Sequence, residues 1–149
     1  MDDCIFCRIV KGIEPASIVF SDEKVIAFMD IQPVNPGHVL VIPRIHYAQL
    51  NQLNPETGAH MFKAAMRIAE ALKKSGIKCD GVNLWLADGE AAFQDIFHVH
   101  IHVIPRFRND GFGFKFSPNY SIRPTRKELN QTAEKLRTAM LKQASFSTI

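Results

Sequence analysis

Short apolar runs separated by turn-forming residues recur along the first 105 positions and predict β-strands. The predicted strands cover residues 18–20, 25–30, 39–42, 81–87 and 96–105. The first two are separated by Ser21-Asp22-Glu23-Lys24, a turn-forming stretch of hairpin length. We therefore expect these two strands to pair antiparallel.

Two other segments have apolar residues at helical spacing. The first begins with Asn54 as N-cap and Pro55 at the first helical position, and should end at Gly76. The second should run over about 125–142, because Thr125 and Glu128 have capping-box spacing. Its apolar stripe comprises Leu129, Ala133, Leu136 and Met140. Strands, a helix, more strands and a final helix predict an α+β fold with an antiparallel sheet.

Composition narrows the class of protein. The chain has 149 residues, 46% of them hydrophobic and 22% charged, which fits one soluble domain over 1–149. No apolar run approaches the roughly 20 residues needed to cross a bilayer, and the acidic N-terminus does not resemble a signal peptide. We therefore expect a cytoplasmic protein without membrane contact.

Charge and cysteine content add two further expectations. The net charge is +3, and the excess of basic residues lies beyond residue 103 without a long Lys/Arg run, so no specific nucleic-acid binding is expected. Three cysteines argue against a disulfide framework and favour metal ligands or buried thiols. Cys79 and His60 have no motif partners and are interpreted as structural residues.

Three histidines alternate with aliphatic residues in the stretch from His98 to Ile104. In a strand, His98, His100 and His102 point to one side while the aliphatic residues between them enter the core. Imidazole titrates near neutral pH and binds metals, so the row predicts a metal cluster or a phosphoryl-transfer site. The first and third histidines lie too far apart along a strand to bind one ion, so the three histidines must have different roles.

Cys4 and Cys7 form a C-x-x-C pair at the N-terminus. Such a pair is redox-active, binds a metal or is simply buried. No βαβ pattern surrounds it, which disfavours a thioredoxin-like role, and metal binding requires two further ligands.

Several motifs in one order resemble the histidine-triad (HIT) superfamily, and in particular the zinc-containing bacterial proteins of its Hint branch. The resemblance covers residues 4–112. It rests on Cys4-Ile5-Phe6-Cys7, Phe28-Met29-Asp30-Ile31, Pro36-Gly37-His38, 39–46, Gly81-Val82-Asn83, Gln94, the histidine row with Ile104-Pro105-Arg106, and Asp110-Gly111-Phe112. It implies a HIT-like fold, with a sheet of roughly five antiparallel strands, one long helix and one C-terminal helix, in a two-fold homodimer.

The resemblance also implies an enzyme that acts on nucleotides. His100 would be the nucleophile on the α-phosphorus, forming a nucleotidyl-histidine, and a backbone carbonyl near His98 would orient it with His38 nearby. His102 would hold a phosphate oxygen. The substrates would be purine nucleoside phosphoramidates or dinucleoside polyphosphates. There are two alternatives. One is a non-catalytic nucleotide-binding regulatory module, and the other is a nucleotidyltransferase or phosphorylase of the same superfamily.

The resemblance assigns the remaining binding residues and a structural zinc ion. Asp30 would bind the ribose hydroxyls, and Asn83, Gln94 and Asp95 would belong to the phosphate pocket. The base would lie between Ile5, Phe6, Ile9, Phe28 and Ile31. The zinc ligands would be Cys4, Cys7, His46 and His98.

The phosphate loop departs from the commonest form of the superfamily, in which Gly precedes the glutamine and Ser or Thr follows it. Here Phe93 and Asp95 occupy these positions. A hydroxyl there would donate to the phosphate or the leaving group, whereas an ionised carboxylate only accepts hydrogen bonds. We therefore expect Asp95 to change leaving-group preference, towards a leaving group that carries an amine.

Overall fold

A computed structural model describes residues 4–144 of the chain. Its strands are β1 (Ile18–Ser21), β2 (Val25–Met29), β3 (Val39–Pro43), β4 (Gly81–Trp85) and β5 (Ile101–Arg106). Its α-helices are α1 (Ile5–Val10), α2 (Pro55–Lys74) and α3 (Arg126–Ala144). The α+β class and the antiparallel sheet are confirmed. Helix α1 was not predicted, because six residues show too little periodicity.

The five strands form one sheet in the order β1-β2-β3-β5-β4, with every neighbouring pair antiparallel. The hairpin of β1 and β2 agrees with the prediction. The Asn54 side chain accepts hydrogen bonds from the amides of Glu56 and Thr57 and so caps α2 as predicted.

Strand β5 is shorter than predicted, since it begins at Ile101 rather than at residue 96. Its pairing with β3 ends where Ile101 lies opposite Val41. Further along β3, Pro43 has no amide hydrogen to donate, so the ladder cannot continue. The amide of Val99 donates instead to the Tyr47 carbonyl, at 2.7 Å. His98 therefore lies at a bend, and His100 lies just before the strand.

The two faces of the sheet are covered differently. The 20-residue α2 covers one face, and alternate strand residues such as Val41, Ile101 and Val103 are buried against it. On the other face Ile26, Phe28, Leu40 and Ile42 form a smaller cluster with Phe6 of α1. A six-residue helix cannot cover a whole sheet face, and the remaining area is open.

The chain divides into two compact units, Met1–Phe112 and Gly113–Ile149. The division was not anticipated from the sequence, although it coincides with the end of the family resemblance; the single domain over 1–149 stays a prediction. In the second unit the predicted capping box forms, since Thr125 and Glu128 exchange hydrogen bonds before α3. No helix among residues 4–144 has the length and apolarity that a membrane crossing requires.

Candidate active site and metal centre

The three alternating histidines lie on the sheet face opposite α2. The aliphatic residues between them, Val99 and Ile101, belong to the core beneath α2, as the alternation predicts. His98 and His100 are buried, whereas His102 keeps about a quarter of its side chain exposed. The ring centroids of His100 and His102 are 4.8 Å apart, so these two imidazoles can act on one small group.

One hydrogen bond fixes the state of His100. Its Nδ1 lies 2.7 Å from the His98 carbonyl oxygen, which can only accept, so Nδ1 carries the proton. The neutral ring then has its lone pair on Nε2. Phe6 packs edge-on against the ring, with centroids 5.3 Å apart, and restricts its rotation. His100 therefore presents an unprotonated, oriented nitrogen.

A chain of hydrogen bonds gives His102 the opposite tautomer. The amide of Val34 donates to Nδ1 of His38, so the proton of the neutral His38 ring is on Nε2. That Nε2 donates to Nδ1 of His102 across 2.9 Å. The remaining nitrogen of His102, Nε2, is then a hydrogen-bond donor. His38 therefore supports His102, whereas the sequence placed it near His100.

The histidines of this face are neutral at physiological pH. Burial lowers the pKa of His100, against the hydrogen bond to His98 and the charges of Asp30 and Asp95, which raise it. Burial and the neighbouring histidines lower the pKa of His102 to about 4. Burial also lowers the pKa of His38. Neutral rings are the form in which imidazole attacks an electrophile.

A pocket of about 470 Å³ opens in front of His100 and His102. It brings together ten of the twelve residues predicted for catalysis and nucleotide binding: Ile5, Phe6, Ile9, Phe28, Asp30, Ile31, His38, Asp95, His100 and His102. Its wall is mostly apolar, as ligand pockets generally are. Asp30 sits at this wall directly after β2, with its Oδ1 accepting from the Gln32 amide at 2.8 Å.

Two predicted pocket residues are not among its lining. The Gln94 amide donates to the carbonyls of Ala48 and Ile96 and accepts from the Gly89 amide, and its side chain is buried. Asn83 accepts a hydrogen bond from Arg106. Both side chains make hydrogen bonds within the protein, and their contact with the nucleotide stays a prediction. Gln94 instead anchors the loop that leads to His98.

The pocket also contains residues that sequence reasoning missed. Trp85 and Phe112 line it with their ring centroids 6.2 Å apart. Phe93, which the sequence analysis already placed in the phosphate loop, lines the pocket as well. Each belongs to a different segment, β4 or one of two loops, so no local pattern links them. The signals available in the sequence were that Phe112 ends one motif of the family resemblance and that Phe93 directly precedes Gln94.

The four residues predicted to bind zinc form a second cluster behind the histidine row. The ligand atoms of Cys4, Cys7, His46 and His98 all lie within 4.8 Å of one another. Nε2 of His98 donates to the Pro43 carbonyl at 2.9 Å, which leaves Nδ1 with a lone pair directed at the two thiols.

The distances in this cluster fit a tetrahedral ion. The sulfur-to-nitrogen separations are 3.3 Å for Cys7–His46, 3.6 Å for Cys4–His98 and 3.7 Å for Cys7–His98. Zn–S bonds of about 2.3 Å and Zn–N bonds of about 2.0–2.1 Å place tetrahedral S and N ligands about 3.5–3.6 Å apart. Two thiols and two imidazoles are also a common donor set of structural zinc.

A third group, Asp30, His38 and His102, is close enough to hold an ion but is differently arranged. Its imidazole nitrogens are engaged in the hydrogen bonds from Val34 to His38 and from His38 to His102. Of His102, only Nε2 then faces outwards. This group is therefore a donor relay rather than a metal centre.

The fold and the paired histidines define a class of protein with two adjacent imidazoles that face an apolar pocket. The family model "HIT domain" matches residues 11–109. The chain belongs to this family.

Individual relatives agree with the assignment. An "Uncharacterized HIT-like protein" of Borreliella burgdorferi is 44% identical over 116 residues, which cover 77% of this chain and 84% of the relative. The "Adenylylsulfatase HINT3" of Arabidopsis thaliana is 38% identical over 109 residues, covering 73% and 55%. A crystal structure of "a ZN-bound histidine triad family protein" from Mycobacterium smegmatis has a TM-score of 0.73 at 40% identity, covering 97% of both chains.

Proposed function

We propose that the protein is a nucleotide hydrolase or transferase in which Nε2 of His100 attacks the α-phosphorus of a purine nucleotide. The observation that carries this proposal is the hydrogen bond from Nδ1 of His100 to the His98 carbonyl. It leaves the lone pair on Nε2 without any base having to remove a proton. The ring is neutral because burial lowers its pKa.

The reaction has two steps. In the first, the bond from Nε2 to phosphorus forms while the bond from phosphorus to the leaving group breaks, and the product is a nucleotidyl-histidine. In the second, water attacks the phosphorus, the bond to His100 breaks and the nucleoside monophosphate leaves. His102 donates its Nε2–H to a phosphate oxygen in both steps, with its tautomer held by His38. A fixed donor of this kind stabilises charge that develops in the transition state.

The rest of the pocket is assigned to the nucleoside. The Asp30 carboxylate accepts hydrogen bonds from the ribose hydroxyls, and the base lies among the apolar side chains contributed by α1 and β2. The name of the Arabidopsis relative, an adenylylsulfatase, supports chemistry at the α-phosphorus of an adenine nucleotide. The substrate classes that follow are nucleoside phosphoramidates and dinucleoside polyphosphates.

A zinc ion bound by Cys4, Cys7, His46 and His98 is part of the proposal. The donor set and its spacing support it, as does the zinc-bound relative. With four protein ligands the ion has no open position for substrate, so its role is structural. When bound, it ties α1, which forms one wall of the pocket, to the segment that carries His100.

We further propose a homodimer and a cytoplasmic location. Phe62 and Met66 of α2 are more than half exposed, and β4 is an edge strand of the sheet. An apolar helix face beside an unpaired strand edge suits a two-fold contact with a second copy. Thiols that serve as zinc ligands require a reducing compartment.

Rapid-quench mass spectrometry tests the mechanism. The wild type, mixed with AMP phosphoramidates and diadenosine polyphosphates, should show an AMP adduct on the peptide that contains His100. His100→Ala should lose the adduct and turnover while keeping AMP binding. His60→Ala, which changes a histidine on α2 outside the pocket, is the matched control and should behave like the wild type. Turnover by His100→Ala at the wild-type rate would overturn the proposal.

A further inference from the structure

Two side chains at the pocket edge stand on an anchored loop. Phe93 and Asp95 flank Gln94, whose buried amide holds the carbonyls of Ala48 and Ile96 at 2.8 and 3.2 Å and the Gly89 amide at 2.8 Å. These bonds tie the loop to the protein on both sides. The side chains at 93 and 95 therefore have a defined place at the pocket, which both of them line.

The backbone at Phe93 is in the left-handed region, with φ 66° and ψ 35°. This region suits glycine and is costly for a bulky side chain. The Phe93 side chain nevertheless remains 78% exposed and contributes little to the core. Strain of this kind at a pocket points to a role for the ring in binding.

The charged side chains that line the pocket are all negative. Asp30 and Asp95 are its acidic residues, and no lysine or arginine is among its lining. His38 and His102 each accept a hydrogen bond at Nδ1, which corresponds to a neutral ring. A second phosphate or a sulfate on the α-phosphorus would bring further negative charge beside these carboxylates without a cation to offset it.

Asp95 is the carboxylate left for the leaving group. Asp30 is assigned to the ribose, and its carboxylate also contacts the Gln32 amide, His38 and His102. Asp95 comes from the opposite segment, between β4 and β5, and it acts electrostatically on His100. Asp95 is exposed to solvent, and among residues 4–144 its carboxylate accepts no hydrogen bond and forms no ion pair.

Resting on the proposed function, we propose that Asp95 and Phe93 form a subsite for a positively charged leaving group. The class of substrate is a nucleoside phosphoramidate whose amine carries a second, cationic amino group. The carboxylate pairs with that cation, and the aromatic face of Phe93 attracts it as well. As the bond from phosphorus to His100 forms, the bond to the leaving nitrogen breaks, and that nitrogen takes a proton from solvent.

Three amides of AMP with the same P–N bond test this subsite. They carry ethylenediamine, ethanolamine or β-alanine, so the distal group is cationic, neutral or anionic at similar size. The wild type should prefer the cationic over the anionic amide in kcat/KM by about fivefold to tenfold, because the exposed carboxylate attracts one distal charge and repels the other. Asp95→Asn should bring this ratio close to one. Phe93→Leu should lower it by about threefold.

Glu90→Gln is the matched control, since it removes the same charge from an exposed position of the same loop that does not line the pocket. It should keep the wild-type ratio. Asp95→Ser, which removes the charge with a shorter side chain, is the second variant in case Asp95→Asn does not fold.

The outcomes separate the two proposals. A wild type that uses the neutral amide through His100 but has no charge preference, or keeps it in both Asp95 variants, would overturn the subsite alone. A wild type that forms no adduct on His100 with any amide or polyphosphate would overturn the proposed function, and the subsite with it.

Discussion

The two faces of the central sheet are built from the same strands but do different work. On the closed face, Val41, Ile101 and Val103 are buried against the long helix α2. On the open face, their neighbours His100 and His102 line a pocket, because the six-residue α1 covers only part of it. Strand alternation thus separates stability from chemistry by a single residue step.

The comparison also shows how polar residues are accommodated. On the open face, hydrogen bonds fix the tautomers of His98, His100 and His102. No buried side-chain nitrogen or oxygen of residues 4–144 lacks a partner. Buried polar groups are costly when unpaired, so the open face requires a complete set of hydrogen bonds. The closed face instead requires close packing of its apolar side chains.

Adjacent substitutions on the two faces should separate these roles, and the largest effect is expected at His102. His102→Ala removes the donor proposed for the phosphate oxygen. The value of kcat/KM should fall by about 10²–10³, while the free energy of unfolding changes by about 1 kcal/mol. Steady-state kinetics and urea unfolding measure both. Wild-type kinetics in this variant would contradict the assignment.

The preceding residue, Ile101, faces α2, and its substitution should lower stability strongly while leaving activity nearly unchanged. Ile101→Ala leaves a cavity in the core and should lower the free energy of unfolding by about 3 kcal/mol. Activity per folded molecule should stay near the wild-type value, because the side chain does not line the pocket. Urea unfolding with activity measured below the transition checks this. An equal loss of activity in the folded state would show that the two faces are coupled.

Removing zinc should weaken the open face through α1. An ion at a concentration of about 100 times its Kd stabilises the folded state by about 2.7 kcal/mol, so a chelator should lower Tm correspondingly. Elemental analysis should find one zinc per chain in the wild type and none in Cys4→Ser. Cys79→Ser, a cysteine outside the cluster, should keep its zinc. If the wild-type protein is grown in a medium that contains zinc and still holds no zinc after purification, the site is refuted.

The smallest effect concerns a polar contact on the closed side. Oδ2 of Asp22 lies 2.7 Å from Nε2 of His60 on α2. Burial raises the pKa of Asp22, but the hydrogen bonds from His60 and from the amides of Val25 and Lys24 outweigh it and lower the pKa from 3.8 to about 2.

Because the folded-state pKa is lowered, the stabilisation by Asp22 is present above pH 3.8 and is lost as the pH falls towards 2. Asp22→Asn should therefore lower the free energy of unfolding by about 1 kcal/mol at pH 5, and the difference from the wild type should shrink towards pH 2. Urea unfolding at several pH values measures it. A difference that grows on acidification would have the wrong sign.

Local patterns in the sequence predicted most elements of the first unit and the N-terminal caps of α2 and α3. The strand predicted over residues 96–105 begins only at Ile101. Its start could not be predicted locally, because the pairing is limited by Pro43, which is distant in the sequence. Residues two positions apart in a predicted strand, such as His100 and His102, could be placed on one face by the period of two alone. Trp85 and Phe112 could not be placed at the pocket, because they reach it from separate segments.

The sequence by itself determined the alternation of histidines with core residues and the pairing of two thiols at the N-terminus, since both are set by spacing along the chain. Only the tertiary structure decided which nitrogen of each imidazole carries the proton, which amides point inward and which charges line the pocket. These depend on partners brought together by folding, such as His98 with Pro43, and hydrogen bonding between distant residues has no signature in local order.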